Sequence, residues 1–338
     1  MRLFKTYVIA LLGVAMAHLL GMPLPWLLGP IFSSLIASLL GVRLQIVRPV
    51  HDAGRTILGV AAGATVTLGF LQSLLLMWPS LLLIVLMTII IGAVGLPLFR
   101  KVGGYDFATS YYCAMPGGLQ DMLVFGQEAG ANPRTLSLIH ATRVLIIVTV
   151  LPFLLTHIWH LDLTNPPGEM ASNTAWDQFV WMVIAALVGW RMAKRIGMFG
   201  ASILGPLIVA TLLSLLGLLN ARPPAEAIWL AQFFIGAGLG VQYVGITLRE
   251  LRHDVLMGVI FCVLLGVITA IFYQLITFLG VAAPMEALLA FTPGGQAELT
   301  VLALVVGADM GFVVAHHVLR LFVVIVGAPL VAKLLPKL

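Results

Sequence analysis

From residue 6 onward the chain is a series of apolar stretches, most of them about as long as the hydrocarbon core of a bilayer is thick, and this decides the class of fold. A crossing helix needs roughly 20 predominantly apolar residues. Within lipid, only helices or closed barrels satisfy every backbone N–H and C=O. Five apolar stretches lie in the first half, at about residues 6–22, 24–41, 55–73, 78–98 and 135–158, and five in the second, near 176–197, 200–219, 226–247, 254–280 and 310–334. Of the 338 residues 61% are hydrophobic and 9% charged, with a mean hydropathy of +1.10, which excludes a water-soluble fold. The expectation is an all-α polytopic membrane protein. The N-terminal run ending near Ala15-Met16-Ala17 imitates a cleavable leader. A segment of the same type recurs at Trp176–Gly197, in mid-chain, so residues 6–22 read as the first span.

The halves are copies. An offset of 177 places Pro116-Gly117-Gly118 on Pro293-Gly294-Gly295, Asp121 on Glu298, His140 on His317, Arg143 on Arg320 and Pro152 on Pro329. Gly59 and Gly63 fall on Gly236 and Gly240 at that offset, and Leu28-Gly29-Pro30 falls on Leu204-Gly205-Pro206 after a one-residue gap. A more polar stretch centred on Pro-Gly-Gly precedes the last helix of each half, at 106–128 and 286–309. The division is therefore a first membrane repeat over residues 1–161, an extracytoplasmic linker over 162–175 and a second repeat over 176–338.

Lys and Arg collect in short cytoplasmic loops, so they set the orientation. If each half crosses five times, with Pro-Gly-Gly as a re-entrant or broken helix, fifteen of the eighteen Lys and Arg residues reach the cytoplasmic side. Arg222 stays outside with the acidic linker, and Arg143 and Arg320 lie within the membrane. An even count would put the 191–195 cluster and the Arg249–Arg252 pair on the opposite face. Two inverted repeats are expected, with both termini cytoplasmic. The formal charge of +5 then reports loop charge, and no nucleic-acid partner is implied.

Candidate chemistry centres on the breaks. Irregular backbone at membrane depth is tolerated where protein or a water-filled cavity satisfies it, and in transporters such breaks face substrate or ions near the midplane. Pro116, Gly117 and Gly118, with Pro293, Gly294 and Gly295, are the backbone candidates; a simple kink is the alternative. Asp121 and Glu298 fall in the first turn of any helix that restarts. There they serve as dipole-stabilised carboxylates or, because an acid in hydrocarbon is costly, as cation or proton ligands or partners of a base. Gln120 and Gln296 could offer neutral hydrogen bonds, although they do not align. His140 with Arg143, and His317 with Arg320, each share one face of the last helix of a half. The arginines either pair with the two acids structurally or meet substrate. His316 points elsewhere and reads as a packed histidine, and Asp309 as a helix cap. The paired glycines have the spacing of close helix packing, and Trp26, Trp159, Trp176 and Trp229 suit interfacial anchoring.

Catalysis has little support. Cys113 and Cys262 lack metal-ligand spacing, and His157 with His160 lacks a third ligand. No nucleotide-binding loop or Ser-His-Asp arrangement is visible. No enzyme activity, catalytic residue, metal or cofactor is expected, and any transport is secondary, coupled to H+ or Na+.

Ala114-Met115-Pro116-Gly117-Gly118-Leu119-Gln120-Asp121, Phe291-Thr292-Pro293-Gly294-Gly295-Gln296-Ala297-Glu298-Leu299 and the Leu-Gly-Pro segments resemble the bacterial membrane AbrB family over nearly the whole chain. Its members carry a duplicated membrane domain and are catalogued as regulators of gene expression or as ammonia monooxygenases. The resemblance implies an inner-membrane protein with two repeats and no settled activity. Inverted halves with broken helices are also similar, at the level of fold, to sodium-proton antiporters and bile-acid symporters. The leading expectation is a secondary transporter of an ion or a small solute such as an anion, seated at the two breaks within the lipid bilayer. A membrane sensor that affects gene expression through a partner protein is the second reading, and a membrane-bound oxygenase the third. A homo-oligomer is compatible with all three.

Overall fold

The computed structural model describes residues 2–164 and 168–334. Asn165, Pro166 and Pro167 of the expected linker, and Lys337, lie outside the described residues. All regular structure among the described residues is helical. The first half gives α1 (Arg2–Leu19), α2 (Pro25–Leu39), α3 (Arg48–Gly63), α4 (Leu68–Ser73), α5 (Trp78–Pro97), α6 (Phe107–Ala114), α7 (Leu119–Glu128) and α8 (Pro133–Trp159). The second gives α9 (Trp176–Arg195), α10 (Ala201–Leu215), α11 (Ala225–Val241), α12 (Leu248–Glu250), α13 (Leu256–Phe278), α14 (Pro284–Phe291), α15 (Gln296–Val305) and α16 (Met310–Leu334). Single π-type turns, Leu98–Val102 and Leu251–Val255, extend α5 and join α12 to α13.

Helix boundaries follow the sequence offset. α6, α7 and α8 start at Phe107, Leu119 and Pro133, and α14, α15 and α16 start at Pro284, Gln296 and Met310, each 177 residues later. Five helical segments are long and apolar enough to cross a membrane: Arg2–Leu19, Trp78–Val102, Pro133–Trp159, Leu248–Phe278 and Met310–Ala332. Fewer stretches reach spanning length than the apolar runs led us to expect. α2 and α10 have 15 residues each, about 22 Å at 1.5 Å per residue, against roughly 30 Å of hydrocarbon. The expected helix over 55–73 also divides. α3 starts earlier, at Arg48, with Pro49 in its first turn, where a missing N–H costs nothing. α4 starts anew behind Thr67, whose hydroxyl accepts from Phe70 N at 3.2 Å.

The helices form two compact units, and each draws on both sequence halves. The first spans Met1–Leu74, Val148–Gly245 and Ala297–Gly311; the second spans Leu75–Ile147, Ile246–Gln296 and Phe312–Leu338.

In the first unit α1 packs on α2 and α9 on α10, while α3 packs on α10 and α11 on α2. The contacts are reciprocal. A methyl group on Gly59 or Gly63 of α3 would collide with the carbonyls of Ile203 or Leu207 of α10. On Gly236 or Gly240 of α11 it would meet those of Leu27 or Ile31 of α2, at 2.5 and 2.8 Å. Close backbone approach of this kind needs glycine, which accounts for the paired glycine spacing. The glycines of the Leu-Gly-Pro segments, Gly29 and Gly205, face Gly13 and Gly189 in the same way. Trp26 stacks on Trp229 with centroids 6.0 Å apart, so these two rings pack on each other.

In the second unit, α5, α6, α13 and α14 enclose an apolar core in which Phe99 meets Phe261 at 4.9 Å and Phe272 stacks on Phe291 at 6.1 Å. This core carries both Pro-Gly-Gly breaks.

Candidate functional site

Each break is produced by its proline. A residue before proline is pushed out of the helical region. Met115 and Thr292 accordingly take extended conformations, with ψ of 128° and 122°, and α6 and α14 end one residue earlier after eight residues each. Gly118, at φ −68° and ψ 141°, is still extended, and α7 restarts at Leu119. α15 restarts at the equivalent Gln296. A short helix, an extended step and a ten-residue helix thus occur twice.

Breaking a helix orphans carbonyls. In a continuous helix the carbonyl of residue i accepts from N–H of i+4, so Tyr112 O would look to residue 116 and Leu289 O to residue 293. Both are proline and have no N–H. The histidines replace those donors: His140 Nε2 donates to Tyr112 O at 3.0 Å, and His317 Nε2 to Leu289 O at 3.0 Å. The arginines hold the carbonyls of the extended step. Arg143 donates through Nη1 to Met115 O (3.2 Å) and through Nη2 to Gly117 O (2.8 Å). Arg320 donates to Thr292 O (2.8 Å) and Gly294 O (3.2 Å). The six bonds form two sets of three with every partner displaced by 177 positions. All four side chains are buried, at 0–1% exposure.

Burying a guanidinium is costly unless its charge is balanced and its donors are used. Arg320 donates to two carbonyl oxygens, and its Nε has no hydrogen-bond partner among the described residues. The Nδ1 atoms of His140 and His317 are likewise without a partner among the described residues. The second unit therefore holds two breaks, two buried guanidinium groups and two buried histidine Nδ1 atoms.

The other sequence candidates are distributed less symmetrically. Asp121 lies in the first turn of α7, with its carboxylate against Gly118, where an added Cβ would stand 2.6 Å from Oδ2. Glu298 is in the first turn of α15 but belongs to the first unit, whereas Asp121 belongs to the second. Pro116, Gly117, Pro293 and Gly294 are buried, Gly118 and Gly295 partly so. Gln296 is buried while Gln120 is exposed, in keeping with their failure to align. His316 is packed: Nδ1 donates to Phe312 O at 2.7 Å, and the ring lies 4.1 Å from that of Phe312. His157 Nδ1 donates to Phe153 O at 2.8 Å. Among the described residues no three His, Cys, Asp or Glu side chains are grouped to hold a metal.

One polar cluster escaped the sequence reading. Asp254, buried, accepts from Tyr105 OH at 2.8 Å, His253 Nδ1 at 3.1 Å and Thr135 Oγ1 at 3.4 Å. Burial and the Asp254 carboxylate push the Tyr105 hydroxyl well above its ordinary range, which keeps it a donor. Nearby in sequence, Arg134 Nε meets Glu250 Oε1 at 2.8 Å. The signal was available: an acid near the start of the long apolar segment Leu248–Phe278 is unusual enough to demand a partner.

The family description "Transition state regulatory protein AbrB" matches residues 26–336. The chain is 26% identical over 330 residues to "Putative regulator AbrB" of Escherichia coli (strain K12), covering 95% of this chain and 92% of that one. It is 28% identical over 302 residues to the uncharacterized protein YhjN of Bacillus subtilis (strain 168), covering 84% and 78%. No solved structure matches it. With the match running from α2 to α16 and through both Pro-Gly-Gly breaks, and with helices long and apolar enough to cross a bilayer, the chain belongs to the AbrB family and has the character of an integral membrane protein.

Proposed function

We propose that the protein is a secondary transporter of a small anionic solute, coupled to H+ or Na+, with its substrate site at the paired breaks. The observation that carries this reading is the twinned His and Arg network. Two buried guanidinium groups clamp the carbonyl side of each break and bring positive charge to the restarted ends of α7 and α15. Each of those ends carries the positive end of a helix dipole. Such an arrangement attracts a carboxylate or similar anion, as broken helices do in transporters. Asp121 and Glu298 then serve as sites for the coupling cation or as charges that leave the arginines when substrate enters. The reciprocal packing of α3 on α10 and α11 on α2 supports an exchange of the two repeats about a two-fold axis. Together with the distribution of Lys and Arg, this favours an axis in the membrane plane, hence inverted repeats and cytoplasmic termini.

The test is uptake of radiolabelled small carboxylates and amino acids into vesicles carrying the purified protein under an imposed proton or sodium gradient. Wild type should accumulate at least one class. Arg143→Met and Arg320→Met should each abolish uptake, and the double variant Asp121→Asn, Glu298→Gln should remove its dependence on the gradient. Uptake that is unchanged in all these variants would exclude the proposed site.

The name of the Escherichia coli relative favours a second reading, regulation through a partner protein. Crosslinking from residues 43–55 and 191–195 in cells would then capture a cytoplasmic protein, with no solute flux in vesicles.

A further inference from the structure

A cavity of about 320 Å³ lies within the second unit between α5, α6 and α16, lined by Gly92, Tyr111, Met115, Gly327 and Ala328 among others. We infer that it is a binding site for one acyl chain of a bilayer lipid. The lining is aliphatic and aromatic apart from two hydroxyls, and both of their protons are already committed. Thr88 Oγ1 donates to Ile84 O at 2.7 Å and Tyr111 OH to Ala328 O at 2.8 Å. No donor is left over to recognise a polar ligand. An apolar cavity of this kind does not hold water stably, and left empty it forfeits the dispersion contacts of its walls. Ile89 and Val331, which also line it, are exposed and lie on the two spanning segments Trp78–Val102 and Met310–Ala332. The material present at that depth of a bilayer is hydrocarbon.

The cavity depends on particular small residues that the duplication does not repeat. At the offset of 177, Gly92 corresponds to Thr269, Gly327 to Val150 and Ala328 to Leu151. The glycine at 327 has no packing reason: a Cβ added there meets no atom within 4 Å. A glycine inside a helix costs about 1 kcal/mol relative to alanine, and what Gly327 provides in return is the space itself. Met115 links this space to the break, because its side chain lines the cavity while its carbonyl is held by Arg143.

The experiment uses the full chain in vesicles of phosphatidylethanolamine and phosphatidylglycerol doped with a phosphatidylglycerol that carries a photoreactive diazirine on one acyl chain. Crosslinked residues are then mapped by mass spectrometry. Wild type should be labelled at Tyr111 and Met115 inside the cavity as well as at Leu82 and Leu86, which are exposed on α5. Gly327→Leu, which fills the cavity, should lower labelling of Tyr111 and Met115 by about tenfold and leave Leu82 and Leu86 unchanged. Gly327→Val serves the same purpose should the leucine variant not yield folded protein. Absence of label at Tyr111 and Met115 in wild type, or equal labelling in the filled variants, overturns the inference. A free diazirine fatty acid that labels the cavity when the phospholipid does not would overturn the assignment to a bilayer lipid.

Discussion

Tyr112 O and Leu289 O lose their helical donors because residues 116 and 293 are proline, and a histidine 28 positions later supplies the replacement in each case. This makes the histidine and the proline energetically coupled. His317→Phe should leave Leu289 O buried and unpaired, at a cost of about 1–3 kcal/mol, read as a lower midpoint of unfolding in detergent. Pro293→Ala supplies an N–H four residues after Leu289. In the double variant Pro293→Ala, His317→Phe the loss should therefore be markedly smaller than the sum of the two single losses, a coupling that a double-mutant cycle measures directly. Strict additivity would mean that the histidine acts elsewhere. The chemistry-bearing residues at this scale were legible: spacing alone put His140 beside Arg143 and His317 beside Arg320. The carbonyls that they hold were not, because a backbone carbonyl leaves no mark on composition. The clue was available in the prolines, since each one announces an orphan acceptor four residues upstream.

Among the elements, the glycines divide into those that permit contact and those that do not. An added Cβ at Gly240 of α11 would lie 2.6 Å from Ser34 Cβ and 2.8 Å from Ile31 O, whereas at Gly266 of α13 nothing lies within 4 Å. Gly240→Ala should push α11 off α2 and destabilise the protein by about 1–3 kcal/mol. Gly266→Ala should stabilise it by about 0.5–1 kcal/mol through helix propensity. Thermal unfolding of both variants in one detergent checks the opposite signs, and equal effects would refute the close packing of α11 on α2. The small-xxx-small spacing was read from the sequence, but it did not say which helix each glycine meets. Nor did hydropathy give the lengths of α2 and α10. Their apolar runs reach the left-handed glycines Gly41 and Gly217, at φ of +83° and +73°, where the helices have already ended. Chain direction changes without any change in polarity, so a hydropathy reading overestimates such helices.

At the scale of the whole chain, the sequence repeat and the compact unit are different divisions. The offset of 177 was visible in the residues, and the helix starts reproduce it. That neither copy packs by itself was not visible, because self-similarity does not reveal which copy a helix packs against. α3 rests on α10 and α11 on α2 in the first unit, and in the second Phe99 meets Phe261 and Arg134 meets Glu250. Each half made alone would expose the backbone-to-backbone faces of α3 or α11 and lose the carbonyl contacts that their glycines permit. Chains ending at Gly168 and starting at Glu169, produced separately in the same host, should therefore be degraded or aggregate. Produced together, they should co-purify through a tag on either fragment, because the cut falls in an exposed connection outside every helix. Gly59→Val in the first fragment, facing Ile203 O of the second, should abolish co-purification, whereas Gly266→Val in the second, where an added Cβ meets no atom within 4 Å, should leave it intact. If each fragment instead gave a stable, monodisperse protein alone, the reciprocal packing of the two copies would not be what holds the fold together.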